Sequence, residues 1–171
     1  PYGNGFLDMT CILELVNNGS SAMNVTVSLF RIDGSLGSSI GVPLAPRQEY
    51  DVILNDMVGF ERDSYGLVKI DYQGKLDGRV FYYRRSALAD GFDFAFGVPL
   101  SNPSYGQTSV GFNTYQPSLS AAEAQNVVAN WLSVVNLSAQ PKAFKIYKYN
   151  QLGELLSSSD TLVPGFARID V

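Results

Sequence analysis

Histidine is absent from this chain of 171 residues. Without an imidazole there is no Ser-His-Asp or Cys-His nucleophile system, and the usual zinc and iron sites lose their commonest ligand. Cysteine occurs once, as Cys11, so no intrachain disulfide can staple the fold; its place in an apolar, strand-like run predicts a buried packing role. Charge is scarce too. Charged residues make up 16% of the chain, against roughly 25% in an average soluble domain, and the net charge is −4. Basic residues never cluster beyond Arg84-Arg85, which leaves too few cooperating cations to grip a nucleic-acid backbone. No apolar run reaches the roughly 18 residues of a membrane-spanning helix, and Pro1-Tyr2-Gly3 does not open a signal peptide. No cofactor is expected.

Apolar residues amount to 46%, enough for a sizeable core. Serine, asparagine, glycine and tyrosine fill the surface instead of charge, a composition typical of secreted and cell-surface β-proteins. Short runs rich in valine, isoleucine, tyrosine and phenylalanine recur at 7–16, 23–32, 39–44, 50–54, 65–72, 79–85, 92–98, 109–115, 127–136, 143–149, 154–162 and 167–171. Between them lie Asn18-Gly19, Asp33-Gly34, Gln73-Gly74, Asp77-Gly78, Asp90-Gly91 and Leu152-Gly153, which read as hairpin turns because such pairs tolerate positive φ. Alternation is clearest at Asn24–Leu29 and Lys142–Tyr149, each with one wet and one dry face. The single helix candidate, Ser120–Asn126, carries a Ser120/Glu123 capping-box pair. Together these features predict an all-β fold, an antiparallel sandwich of immunoglobulin-like or jelly-roll-like kind.

The chain also repeats itself. Shifted by 119 positions, Ile12–Val52 lies on Trp131–Val171 without a gap. Nine residues coincide, among them Asn17/Asn136, Gly34/Gly153, Ser38/Ser157 and Asp51/Asp170. The apolar positions Val25/Phe144, Val27/Ile146, Phe30/Tyr149 and Leu44/Val163 fall together, so both copies should turn the same faces to a core. The repeat divides the chain into two related units, 1–91 and 92–171, which either pack as one pseudo-symmetric sandwich or stand in tandem. With 7–52 as a segment B, 53–91 as C and 92–126 as A, the order is B-C-A-B. A complete A-B-C unit would then lack a segment at each end, as in a piece of a longer array.

The stretch Val16–Phe30, with Asn17-Asn18-Gly19 before the alternating Asn24–Leu29, is followed by Leu44-Ala45-Pro46. It resembles bacterial immunoglobulin-like surface domains of the cell-adhesion-related class, which carry an Asn-x-Gly turn, an alternating strand and a Leu-x-Pro-Gly turn. The second copy keeps Val135-Asn136 and Val163-Pro164-Gly165 but has Leu137-Ser138 in place of the first glycine, and the first copy has Arg47 where the last glycine belongs. The resemblance covers about half the chain and implies a β-sandwich in a secreted or surface protein, acting as spacer or binding module.

Candidate chemistry is limited. Carboxylate pairs suitable for a glycosidase are Glu61 with Asp63, Asp90 with Asp93, and Asp51 with Asp56, each of a kind also found in surface turns. Oxygen ligands for calcium would come from Asn55, Asp56 and Asp63, but no Asp-x-Asp-x-Asp-Gly loop accompanies them. The repeat-equivalent Asp51 and Asp170 read as turn or arginine-paired carboxylates beside Arg47 and Arg168. Aromatics are the stronger binding candidates. In Phe81-Tyr82-Tyr83-Arg84-Arg85, Tyr82 points to one strand face and Phe81 and Tyr83 to the other, so Tyr82, Tyr83, Arg84 and Tyr105 are candidates for stacking on a sugar ring or partner; core packing is the favoured reading of Tyr82, Tyr83, Tyr105, Tyr115 and above all Trp131, which aligns with the apolar Ile12. Glycosylation sequons stand at Asn18, Asn24 and Asn136.

These readings favour a non-enzymatic extracellular or cell-surface structural module that forms or decorates a filament, stalk or surface layer through self-association or neighbouring repeats. The alternatives are a carbohydrate-binding module that uses its tyrosines and, third, a carboxylate glycosidase.

Overall fold

The computed structural model describes residues 9–57, 65–85, 91–102 and 132–170. Apart from one 3-10 turn at Leu54–Asp56, every regular element in them is a β-strand. The expected strand at 109–115, the helix at 120–126 and Trp131 lie outside the described residues. Strand β1, Met9–Asn17, alternates buried and half-buried side chains along its length, as a period-two apolar run over one core must. It lies between β4, Glu49–Ile53, and β6, Leu76–Arg85. Strand β7, Phe92–Pro99, extends that sheet to the order β4-β1-β6-β7. A second sheet places β2, Met23–Arg31, between β3, Leu36–Leu44, and β5, Gly66–Asp71. All pairings are antiparallel.

Both sheets feed one core. Cys11, Leu13, Leu15, Val52 and Val80 come from the first, and Val25, Val27, Leu29, Val42 and Leu44 from the second. Two antiparallel sheets that share a core form the sandwich the pattern predicts, and Cys11 is one of its fully buried packing residues. Because β7 pairs with β6, the first unit is built from B, C and the opening of A. The division expected at residue 91 therefore falls between two hydrogen-bonded strands.

Four further strands follow: β8, Ser133–Val135; β9, Lys142–Tyr149; β10, Leu155–Val163; and β11, Arg168–Asp170. They reproduce β1 to β4 pair for pair. Val16 opposite Glu49 becomes Val135 opposite Arg168, and Met23 opposite Leu44 becomes Lys142 opposite Val163. Even the bulge recurs, skipping Gly37 in β3 and Leu156 in β10.

The glycine pairs divide by role. Asp33-Gly34 and Leu152-Gly153 close hairpins, with Gly34 N donating to Arg31 O at 2.9 Å and Gly153 N to Asn150 O at 3.0 Å. Only the glycine of each pair takes positive φ, 88° and 81°, so these loops differ from the two-residue turn with both central residues left-handed. Asn18-Gly19 and Gln73-Gly74 instead carry the chain between sheets. Asp77-Gly78 lies inside β6, where a Cβ on Gly78 would overlap the Glu14 carbonyl oxygen. Glycine is needed there for close approach, and no turn occurs.

One buried side chain organises each copy. Asn17 is 0% exposed, and its Nδ2 donates to the carbonyls of Ser21 at 2.8 Å, Ala45 at 2.9 Å and Leu44 at 3.3 Å, while its Oδ1 accepts from Gly19 N at 2.8 Å. Asn136 repeats the pattern with Gln140, Pro164 and Val163, and its Oδ1 accepts from Ser138 N at 3.0 Å. Each asparagine so fixes the turn that leaves β3 or β10. The third residue of that turn, Arg47 or Phe166, is left-handed at φ 62° or 54°. The glycine missing from the first copy is thus missing where the backbone favours one.

Asn17→Ala leaves buried carbonyls and an amide without partners. Urea unfolding should show a loss of about 2 to 3 kcal/mol. Arg47→Gly should gain about 0.5 to 1 kcal/mol in the same assay, because it relieves a left-handed side-chain-bearing residue.

Candidate functional site

The two units meet through their turns. The Phe166 ring, at the turn between β10 and β11, stacks on Phe30 with centroids 4.8 Å apart and planes 24° from parallel. Lys69 Nζ lies 5.8 Å from the centroid of the same ring. Gly34 approaches so closely that a Cβ would overlap the Gly165 carbonyl oxygen. The Arg168 guanidinium lies 5.6 Å from the Tyr65 ring centroid. Aromatic stacking, two cations over rings and one bare backbone contact form the joint.

Among the described residues the second unit is open. Leu13, Leu15, Val25 and Val27 are 0% exposed, whereas their counterparts Leu132, Val134, Phe144 and Ile146 are only half-buried. The cause lies in the pairing: β5 flanks β2 and β6 flanks β1, but among the described residues β9 pairs only with β10 and β8 only with β11. The outer face of the β9–β10 hairpin carries exposed rings and a leucine beside the Lys145–Asp160 ion pair, whose atoms lie 3.8 Å apart. Tyr147 and Tyr149 are exposed there with ring centroids 6.3 Å apart, Lys145 Nζ lies 5.7 Å from the Tyr147 ring, and Leu162 is exposed on β10. The corresponding positions of the first hairpin hold Thr26, Ser28, Phe30 and Pro43, and Phe30 is covered there by Phe166. The repeat sets Tyr149 with Phe30 among the core-facing apolar positions, but the structure exposes it, because the period-two alternation that turns Phe144 and Ile146 inward puts residues 145, 147 and 149 on the opposite face.

Of the aromatic candidates, Tyr82 points inward. It packs against the core and stacks on Phe96 with centroids 4.7 Å apart. Tyr83 faces outward and stacks on Phe81 at 5.8 Å, and the Arg79 guanidinium lies 5.2 Å from the Phe81 ring. The Phe81 ring in turn covers Gly97 on β7. Arg84 is exposed, while Tyr105 and Tyr115 lie outside the described residues.

Among the acids, Asp51 and Asp56 line one depression of about 650 Å³ at the edges of β3 and β4. Glu61, Asp63 and Asp90, and the side chain of Asp93, lie outside the description. Asn55 does not offer its oxygen to a cation: Oδ1 accepts from Cys11 N at 2.7 Å and Nδ2 donates to Met9 O at 3.0 Å, which ties the 3-10 turn to β1. Glu14, Glu49 and Asp51 gather at the β1–β4 ladder, where Glu14 also pairs with Arg79 at 3.2 Å. In the second copy Ser133 and Arg168 replace the two glutamates, and Asp170 is held by both. It accepts from Ser133 Oγ at 2.7 Å and from Arg168 Nε and Nη2 at 2.9 and 3.0 Å. Asp170 is thus arginine-paired, as expected, whereas Asp51 faces Glu14 across the ladder. Of the sequons, Asn18 and Asn24 are exposed, but the amide of Asn136 is buried and fully engaged in its turn.

Comparison with family models, with curated proteins and with solved structures finds no match to this chain.

Partial burial pushes the Asp170 carboxyl upward, but the hydrogen bonds from Arg168 and Ser133 and the Arg168 charge outweigh it, so the group titrates below the ordinary aspartate range. A depressed folded value means the contact stabilises above the unfolded pKa of about 3.9 and is lost as pH falls through the folded one. A carboxyl-carbon NMR titration should therefore place Asp170 below the ordinary aspartate range. Ser133→Ala should move it upward; an unmoved midpoint would remove the hydrogen bond from the account.

Proposed function

We propose that this protein is a non-enzymatic structural module of the cell surface or extracellular space, in which related β-units stack into a larger assembly. The observation that carries the reading is the open second unit. It keeps the pairing of β1 to β4, yet the face that is dry in the first unit is half exposed among the described residues, and Tyr147, Tyr149 and Leu162 lie exposed on its outer hairpin. Apolar surface of this kind belongs in an interface. The absence of histidine, the low charge and the resemblance to immunoglobulin-like surface domains support the same reading.

A carbohydrate-binding module is the second reading, and the exposed Tyr147–Tyr149 pair favours it, since adjacent rings on a flat strand face suit the apolar side of a sugar. In that case a glycan array gives a signal that Tyr147→Ala weakens while the particle size stays unchanged.

For the structural reading, sedimentation velocity from low to high micromolar concentration should show mass rising with concentration, and electron microscopy should show extended particles. A monomer throughout that range contradicts it.

A further inference from the structure

We infer that a second copy of this chain docks head to tail, the β9–β10 turn of one copy (150–153) seated on the β3–β4 turn of the next (45–48). The inference rests on the assembly reading above and names its contact. Within one chain the units are joined by Phe30 and Gly34 on one side and Gly165-Phe166 on the other. Applying the 119-residue relation once more turns Phe30 into Tyr149, Gly34 into Gly153, and Gly165-Phe166 into Pro46-Arg47.

Each of these images is open to a partner. Tyr149 is 50% exposed, Arg47 is exposed, and a Cβ on Gly153 would meet nothing within 4 Å. The chemistry carries over: a guanidinium over a tyrosine ring replaces the stacked phenylalanines. The turn tip also changes in the direction an interface requires. In the first unit Asp33 closes the loop, its Oδ1 accepting from Ser35 N at 2.8 Å and Ser35 Oγ at 2.7 Å. In the second, Asn150 Oδ1 does so, accepting from Leu152 N at 2.9 Å and Glu154 N at 3.0 Å. The side chain at the tip is thereby spared any part in closing the loop, and the position holds Leu152, 77% exposed. Beside Arg47 lies a depression of about 330 Å³, walled by Asn18, Ser20, Met23 and Lys75, into which the docked loop brings that leucine. Two different surfaces meet, so the contact is heterologous and copies can add in series.

Complementation tests this directly. Leu152→Asp and Arg47→Glu each spoil one end and leave the other intact, so each variant alone should sediment as a monomer, its association weakened about tenfold or more. Mixed one to one, they should form a dimer and nothing longer, through the sound Leu152 loop of one and the sound Arg47 turn of the other. Should either variant lose its β-type circular dichroism, Leu152→Ser and Arg47→Gly take their places. Wild-type assembly that neither substitution weakens, or singly monomeric variants whose mixture stays monomeric, overturns this contact and leaves the assembly reading standing. A wild-type chain that never associates overturns both.

Discussion

A side-chain amide shut away from water must place every one of its protons on an acceptor, and in this chain that requirement is met twice at the same point of the fold. Asn17 and Asn136 each tie the end of their strand to the loop that follows and to the turn that leaves the neighbouring sheet. The carbonyls they hold, Ala45 and Pro164, begin the turns whose third residues are Arg47 and Phe166. Geometry at the unit boundary is therefore inherited from a buried hydrogen-bond hub. That explains how turns with different sequences, Ala45-Pro46-Arg47-Gln48 and Pro164-Gly165-Phe166-Ala167, keep one backbone path.

The units differ in what closes them. In the first, β5 and β6 flank β2 and β1, and the inner residues of β1 and β2 reach full burial. The same pairing of β8 to β11, with no such flanks among the described residues, leaves inner residues half wet. Burial here follows from neighbours more than from the residues themselves, since Leu13 and Leu132 are identical in type and differ in exposure. A fold built this way presents its surplus apolar surface at the open unit, where stacking or capping removes it from water.

Much of the fold was legible in the sequence because strand alternation and a gapless repeat are local, periodic signals. The offset that aligned Asn17 with Asn136 also aligned every strand pair and the bulge. The fate of the glycine pairs was not legible: Gly78 looks like a turn residue beside Asp77, and only the path of β1 across it shows that it sits inside a strand. The grouping of segments was equally hidden, because it depends on β7 pairing with β6, and no periodicity records partnership between strands. Among the aromatics, alternation separated Tyr82 from Tyr83 correctly but could not tell which face was the core. Asn55 looked like an oxygen ligand because its neighbours are acidic, whereas its amide is spent on the backbone of β1. The joint between units was the least visible of all, since Phe30 and Phe166 lie far apart in the chain and no local pattern links them.

The central claim is that the joint inside the chain is the pattern for the joint between chains. Cryo-electron microscopy of the assembled protein, with the axial distance between successive β-units as its readout, tests it most directly. The account predicts a single spacing, the same within a chain as across chains. Two alternating spacings, or particles closed by a two-fold axis, would contradict it.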